Sequence, residues 1–350
     1  MTRCSWLFVF VLVVAILLPF PTDAAKPVVP RGVLAMSSGD QVVLVNPGSL
    51  GIQSVETGPV GFLFPAPAAI LFAPDVVNGR TTVIDLRSGR VVELMSGVTM
   101  PHFGPWADRY LVVAGDLTMV SFPERSLIFR MKGEFDRPWD VQLGPEGTTM
   151  LILERVPSGV GGSTISAVDL GSRRIVFSKD FDHDLLRFAM APESGVMAVV
   201  DQTTGEIVLM DSMTLLEMRR LPVPEGATDV VVLKEGKELV AAGASGQLLR
   251  WDLKVKSEKL EVVKDDPFII PGRALRLAVG PEGRLVAAVT DQGLMVIIDS
   301  KKGEAVGQWK VPLPLRDLRW IDTGKAGPLL PSWSDSGLGP EGAKLGPEKP

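Results

Sequence analysis

Apolar residues fall in short runs broken at regular intervals by Gly, Pro and Asp, and the clearest example is residues 276–311, RLAVGPEGRLVAAVTDQGLMVIIDSKKGEAVGQWKV. The pattern predicts four strands there, at 276–279, 285–290, 294–299 and 305–311. They are separated by Gly280-Pro281-Glu282-Gly283, Asp291-Gln292-Gly293 and Ser300-Lys301-Lys302-Gly303. Gly supplies left-handed backbone angles, Pro stops a strand, and Asp accepts from nearby backbone N–H groups, so each break has a physical reason.

The unit recurs. Its marker is an apolar third strand that ends in Asp and runs into a turn. TTVIDLRSGR gives Asp85, TISAVDLGSRR gives Asp169, EIVLMDSMT gives Asp211, QLLRWDLKVK gives Asp252 and LMVIIDSKKG gives Asp299. VVLVNPGS places Asn46 at the same point, and LTMVSFPER places Ser121 there. Markers 36 to 48 residues apart define an internal repeat with the period of propeller blades. A short acceptor at a strand end bonds turn N–H groups, and Asn and Ser do the same, so the series is structural.

Six complete blades are predicted at 60–97, 98–133, 134–180, 181–223, 224–265 and 266–312. Residues 33–56 supply only three further strands, and 315–321 (LRDLRWI) has a first-strand pattern with no blade of its own. Pairing the two makes a seventh blade and closes the ring, which protects edges that an open array would expose. The predicted fold is all-β: a seven-bladed β-propeller of four-stranded antiparallel blades, closed by its N- and C-terminal strands in one blade.

The chain resembles the WD-repeat and YVTN-type propellers. The resemblance rests on the GPEG turns at Gly144 and Gly280, with variants at 191–194 and 234–236, and on the third-strand Asp series; Trp251-Asp252 is a literal WD dipeptide. It covers residues 33–321 and identifies repeat architecture rather than an activity. The Gly-His pair of WD repeats is missing, so the YVTN-like pattern is the closer match.

Composition changes the picture at the N-terminus. Arg3, the apolar run 6–20 and the small residues of Thr22-Asp23-Ala24 read as a secretory signal cleaved after Ala24. The run is short for a membrane span, which needs about 20 apolar residues. Residues 25–323 are then the propeller, in the periplasm or outside the cell, with no membrane insertion after cleavage. Residues 324–350, rich in Gly and Pro, read as a largely disordered tail. Cys4 would leave with the signal, so no disulfide is expected. A net charge of −5 among 350 residues lacks the basic excess that phosphate backbones require, so nucleic acid is not an expected partner.

Aligning first strands on their turns brings Gly61, Pro101, Asp140, Arg187, Asp229, Arg276 and Asp317 into register. First strands line the central channel, so Asp140, Arg187, Asp229, Arg276 and Asp317 are expected to form an arc of alternating charge that fastens neighbouring blades. The rival reading gives Arg187 and Arg276 to a polar ligand at the channel mouth. The loops entering first strands open on one face. They carry Asp136, Arg137 and Trp139, then Asp182, His183 and Asp184, then Asp265, Asp266 and Arg273. This acidic face with scattered Arg is the expected ligand or partner surface, and His183 between two Asp reads as a surface His.

No catalytic residue, metal or cofactor is assigned. Two His and no mature Cys leave a zinc site without its usual ligands. Asp182, Asp184, Asp265 and Asp266 could give oxygens to calcium, but no calcium-loop spacing is present. There is no G-x-S-x-G elbow, and His102 reads as structural. Aromatic content is 6%, with Tyr110 the single Tyr, which argues against a nucleic-acid stacking platform. Trp106, Trp139, Trp251, Trp309 and Trp320 read as core. The expected function is an exported binding or scaffold protein that engages a protein or small ligand through the loop face. Two alternatives stand beside it. One is a lactonase-like hydrolase using Arg187, His183 and Asp136, which the resemblance implies; the other is a propeller subunit of a periplasmic redox complex.

Overall fold

The computed structural model describes residues 30–324, apart from 49–50, 98–99, 105, 107, 123, 136–137, 145, 156–160, 192–194, 234–235, 257–258 and 265–266. The predicted signal and residues 325–350 of the tail lie outside the described residues.

The chain is a seven-bladed β-propeller. Residues 64–96, 101–135, 138–181, 185–221, 227–264 and 274–310 form the first to sixth blades. The closing blade takes its inner strand, Leu315–Ile321, from the far end of the chain and pairs it with Val33–Ser38, Gln41–Asn46 and Gly51–Glu56. Leu34 lies opposite Trp320, and Ser37 opposite Asp317. The ring therefore closes as the sequence predicts.

Second and third strands are buried on both faces, as Val196–Asp201 and Leu285–Thr290 are along their whole length. Their side chains fill the seams between neighbouring blades. Ile207 and Leu209 of the fourth blade meet Leu239, Ala241 and Leu249 of the fifth, with Trp251 closing the cluster. Each such aliphatic side chain stabilises the fold by roughly 1.5–3 kcal/mol. Outer strands are largely exposed, as Arg174–Phe181 shows.

The turns carry out the chemistry read from the sequence. Both GPEG turns fold alike: Gly144 and Gly280 N–H groups donate to Thr149 and Leu285 carbonyls, and Gly147 and Gly283 donate back to Gly144 and Gly280. The third-strand acceptors bond their turns at Asn46 (Gly48 N–H), Asp85 (Arg87 N–H), Asp169 (Ser172 N–H), Asp211 (Met213 and Thr214 N–H) and Asp299 (Lys301 N–H). Ser121 likewise accepts from the Ser126 N–H.

Several expectations need correction. In the second blade the predicted second and third strands form one continuous segment, Arg109–Ser121. It doubles back at Gly115 (φ 73°), because the Phe122 N–H reaches the Asp108 carbonyl at 2.7 Å. The fifth blade gains a short extra strand, Phe268–Ile269, against Gln247 and Leu248. Register also moves two channel positions by one residue. Counted from second-strand pairing, the equivalents of Asp140 are Phe62 and Met100, not Gly61 and Pro101. Finally, Trp139 is no core residue: it is 37% exposed, whereas Trp251 is 3%.

Candidate functional site

Strands alternate sides, so residues two apart on an inner strand share the channel wall. One level holds Phe62, Met100, Asp140, Arg187, Asp229, Arg276 and Asp317. The level beyond it holds Phe64, His102, Gln142 and Arg319.

The three acids of the first level do the same thing at three seams. Asp140 accepts the Phe188 N–H (3.3 Å), Asp229 the Leu277 N–H (2.9 Å) and Asp317 the Leu63 N–H (2.9 Å). Each bond runs from one inner strand to the next blade's inner strand. Asp317 also pairs with Arg187 (3.4 Å) and Arg319 (3.0 Å). Burial opposes its charge, but those two guanidiniums and the Leu63 N–H outweigh it and hold its carboxyl below the usual range. Burial wins at Asp140 and pushes its carboxyl up, against Arg187 and Arg319. Arg187 is held above its ordinary value despite burial by Asp229, Asp317 and Asp140.

Arg276 is different. Its guanidinium donates to the Arg316 carbonyl (3.2 Å) and the Leu275 carbonyl (2.7 Å), and no ion pair to a carboxylate forms among the described residues. Burial and the neighbouring Arg187 push its pKa down, with Asp229 and Asp317 opposing. Its side chain lines a groove of about 620 Å³ at the mouth, with Arg273, Gln202, Thr203, Thr228 and Glu225. The Arg273 side chain is exposed there, while its backbone N–H is tied to Asp291 (3.0 Å).

Five of the nine sequence-predicted ligand residues are described; Asp136, Arg137, Asp265 and Asp266 lie outside the described residues. Arg155 joins two of the five, lying 4.8 Å over the Trp139 ring and 3.6 Å from Asp184. It also donates to Gln202 in the groove (2.8 Å). The Trp139 indole N–H is fixed on the Leu186 carbonyl (2.7 Å), and the ring meets Phe62 edge-on. His183 bonds Asp182 through Nδ1 (2.8 Å), and its Nε2 stands 3.7 Å from Asp201 without a hydrogen bond. It is a partly buried His, 20% exposed at the side chain, rather than a surface one.

Arg155 and Gln202 were not read from the sequence. Arg155 ends a second strand and Gln202 begins the turn that follows one, at the edge of the disc where the loops into first strands also open. Blade topology would have found them. His102 and Arg319 were missed for a different reason. Each lies two residues beyond a first-level position, and the one-residue misalignment at Pro101 hid His102.

Searches by sequence find no relative: no family model matches the chain, and no curated protein does. Solved structures match it in fold. A chain of the mitotic checkpoint complex is 15% identical with a TM-score of 0.59, covering 80% of this chain and 86% of that one. A Bacteroides fragilis protein provisionally assigned as a 6-phosphogluconolactonase is 11% identical with a TM-score of 0.59, covering 84% and 98%. A chain of Kuenenia stuttgartiensis hydrazine synthase is 17% identical with a TM-score of 0.53, covering 69% and 77%. Identities this low speak for the fold alone. The class defined is a seven-bladed β-propeller with a charged channel and a polar groove at one mouth.

Proposed function

We propose that the chain is an exported β-propeller binding protein that takes an acidic segment of a partner protein in the groove formed by Arg273 and Arg276. One observation carries the reading. Arg276 holds a half-buried positive charge on backbone carbonyls alone, while the neighbouring carboxylates are engaged by N–H groups or other guanidiniums. A partner carboxylate would complete that guanidinium, and charge-assisted pairs of this kind are the strong ones. Thr203, Thr228 and Gln202 offer neutral hydrogen-bond partners around it. A rigid disc with freely varying loops suits a binding module. Export rests on the N-terminal sequence pattern, and mass measurement of the released protein tests cleavage after Ala24.

The lactonase-like reading needs Arg187, His183 and Asp136 to converge. Arg187 is engaged with Asp317 inside the channel, and His183 with Asp182 on the loop face. That geometry gives the hydrolase no support.

The test is cross-linked capture from cell-envelope extract with the full chain and an Arg273→Glu variant verified as folded by circular dichroism. Capture by the wild type, reversed by salt and lost in the variant, is the expected result. Equal capture by both removes the groove from the reading.

A further inference from the structure

A second cavity lies on the channel wall between the inner strands of the first three blades. It is more enclosed than the groove, at about 230 Å³. Phe62, Phe64, Met100, Trp139 and Leu143 give it apolar walls, and three polar groups converge on it: His102, Asp140 and Arg319. Two of its aromatic rings are held edge-on by neighbours, Phe62 against Trp139 (6.0 Å) and Phe64 against His102 (5.1 Å). Apolar walls with a few placed polar groups are the usual make-up of a small-molecule site.

Arg187 and Arg319 share one carboxylate, Asp317, through Oδ1 and Oδ2. Arg319 reaches it with Nε, so its terminal amines have no partner among the described residues. Asp140, the other acid in reach, is the carboxyl that burial pushes up. His102 makes no hydrogen bond at either ring nitrogen among the described residues. Burial and the Arg319 charge hold it neutral, with its pKa lowered to about 3. A neutral imidazole still carries one N–H donor. The cavity thus offers a guanidinium fork and an N–H donor beside aromatic walls.

We propose that this cavity binds a small aromatic carboxylate, its ring among Phe62, Phe64 and Trp139 and its carboxylate on Arg319 and His102. The site is independent of the groove at Arg273 and Arg276. Its ligand would supply an acceptor for the terminal amines of Arg319 and bury a ring against edges and faces that already favour offset or edge-on contact.

Calorimetry on the full chain tests it with phenylacetate as the probe and phenylacetamide as its uncharged counterpart. Phenylacetate is expected to bind, and phenylacetamide to bind more weakly by about tenfold or more, the loss of a charge-assisted pair. Arg319→Gln should erase that preference for the acid. Because Arg319 also pairs with Asp317, a second variant, Met100→Trp, leaves the charges in place and fills the cavity; it should abolish the binding. No heat with phenylacetate, equal binding of acid and amide, or binding unchanged in Met100→Trp would each overturn the proposal.

Discussion

Asp317 and Leu63 are 254 positions apart in the chain and joined by one hydrogen bond, the Leu63 N–H donating to Asp317 Oδ2 at 2.9 Å. The bond crosses the seam between the closing blade and the first blade. The same device fastens the third blade to the fourth at Asp140 and the fifth to the sixth at Asp229.

Asp317→Ala should therefore be among the costliest single changes in the protein. It strands two guanidiniums and leaves the Leu63 N–H without its acceptor. Removing one partner of a buried charge set costs about 3–5 kcal/mol. Urea unfolding monitored by tryptophan fluorescence would measure it, and a loss under 1 kcal/mol, on the order of a surface pair, would refute the latch. The carboxyl sits below its ordinary range when folded. Its stabilisation is present above the unfolded pKa and is lost as pH falls through the folded one.

His102 gives a second pH dependence with a different window. Its folded pKa is lowered to about 3 from 6.5, so the unfolded chain takes up the proton first as pH drops. Stability then declines below about pH 6.5, at up to about 1.4 kcal/mol per unit, until the folded group titrates. His102→Phe keeps an aromatic ring beside Phe64 and removes the proton site. The stability difference, variant minus wild type, should grow between pH 6.5 and pH 4 by about 1.4 kcal/mol per unit at most. A pH-independent difference would show that His102 is not held neutral.

The blade count and ring closure were legible because each rests on local chemistry: Gly and Pro at turns, an acceptor ending each third strand, and an orphan first strand at residues 315–321. The channel frame was not legible in the first two blades for an equally local reason. GPEG turns mark the frame in the third and sixth blades, whereas the first blade turns through Pro67–Ala69, a 3-10 turn with Ala68 at φ 62° and no Gly. Its frame slipped by one, as did that of the second blade. Trp139 was misread because its neighbours, Arg155 and Phe62, come from another strand and another blade. The single sequence carried no sign of either contact.

Two acceptors that look the same in sequence should differ in worth. Asp85 is partly exposed and bonds the Arg87 N–H and Ser88 hydroxyl (both 2.9 Å). Asp299 is buried and adds a two-pronged pair with Arg284 to its turn bonds. Asp85→Ala should cost about 0.5–1.5 kcal/mol, the net value of ordinary hydrogen bonds. Asp299→Ala should cost about 3 kcal/mol or more, because charge-assisted bonds are lost inside the protein. Parallel denaturation of the two variants decides the matter; equal losses would mean that the repeat position alone sets the energy.

Gly205 and Gly79 separate backbone angle from close packing at equivalent turns. Both have left-handed backbones, with φ of 74° and 63°. A Cβ on Gly79 meets nothing within 4 Å, whereas one on Gly205 would stand 2.8 Å from the Gly226 Cα. That contact is backbone against backbone, held by the Ala227 N–H on the Gly205 carbonyl (2.8 Å), so neither side can rotate away. Gly79→Ala should cost only the left-handed penalty of roughly 1–2 kcal/mol. Gly205→Ala should cost clearly more, since the two turns must part and the groove that both line must open. Capture by Gly205→Ala at a temperature where it stays folded should fall with the stability, while Gly79→Ala should bind as the wild type does. If both variants lose the same stability, the Gly205–Gly226 approach contributes nothing to the seam.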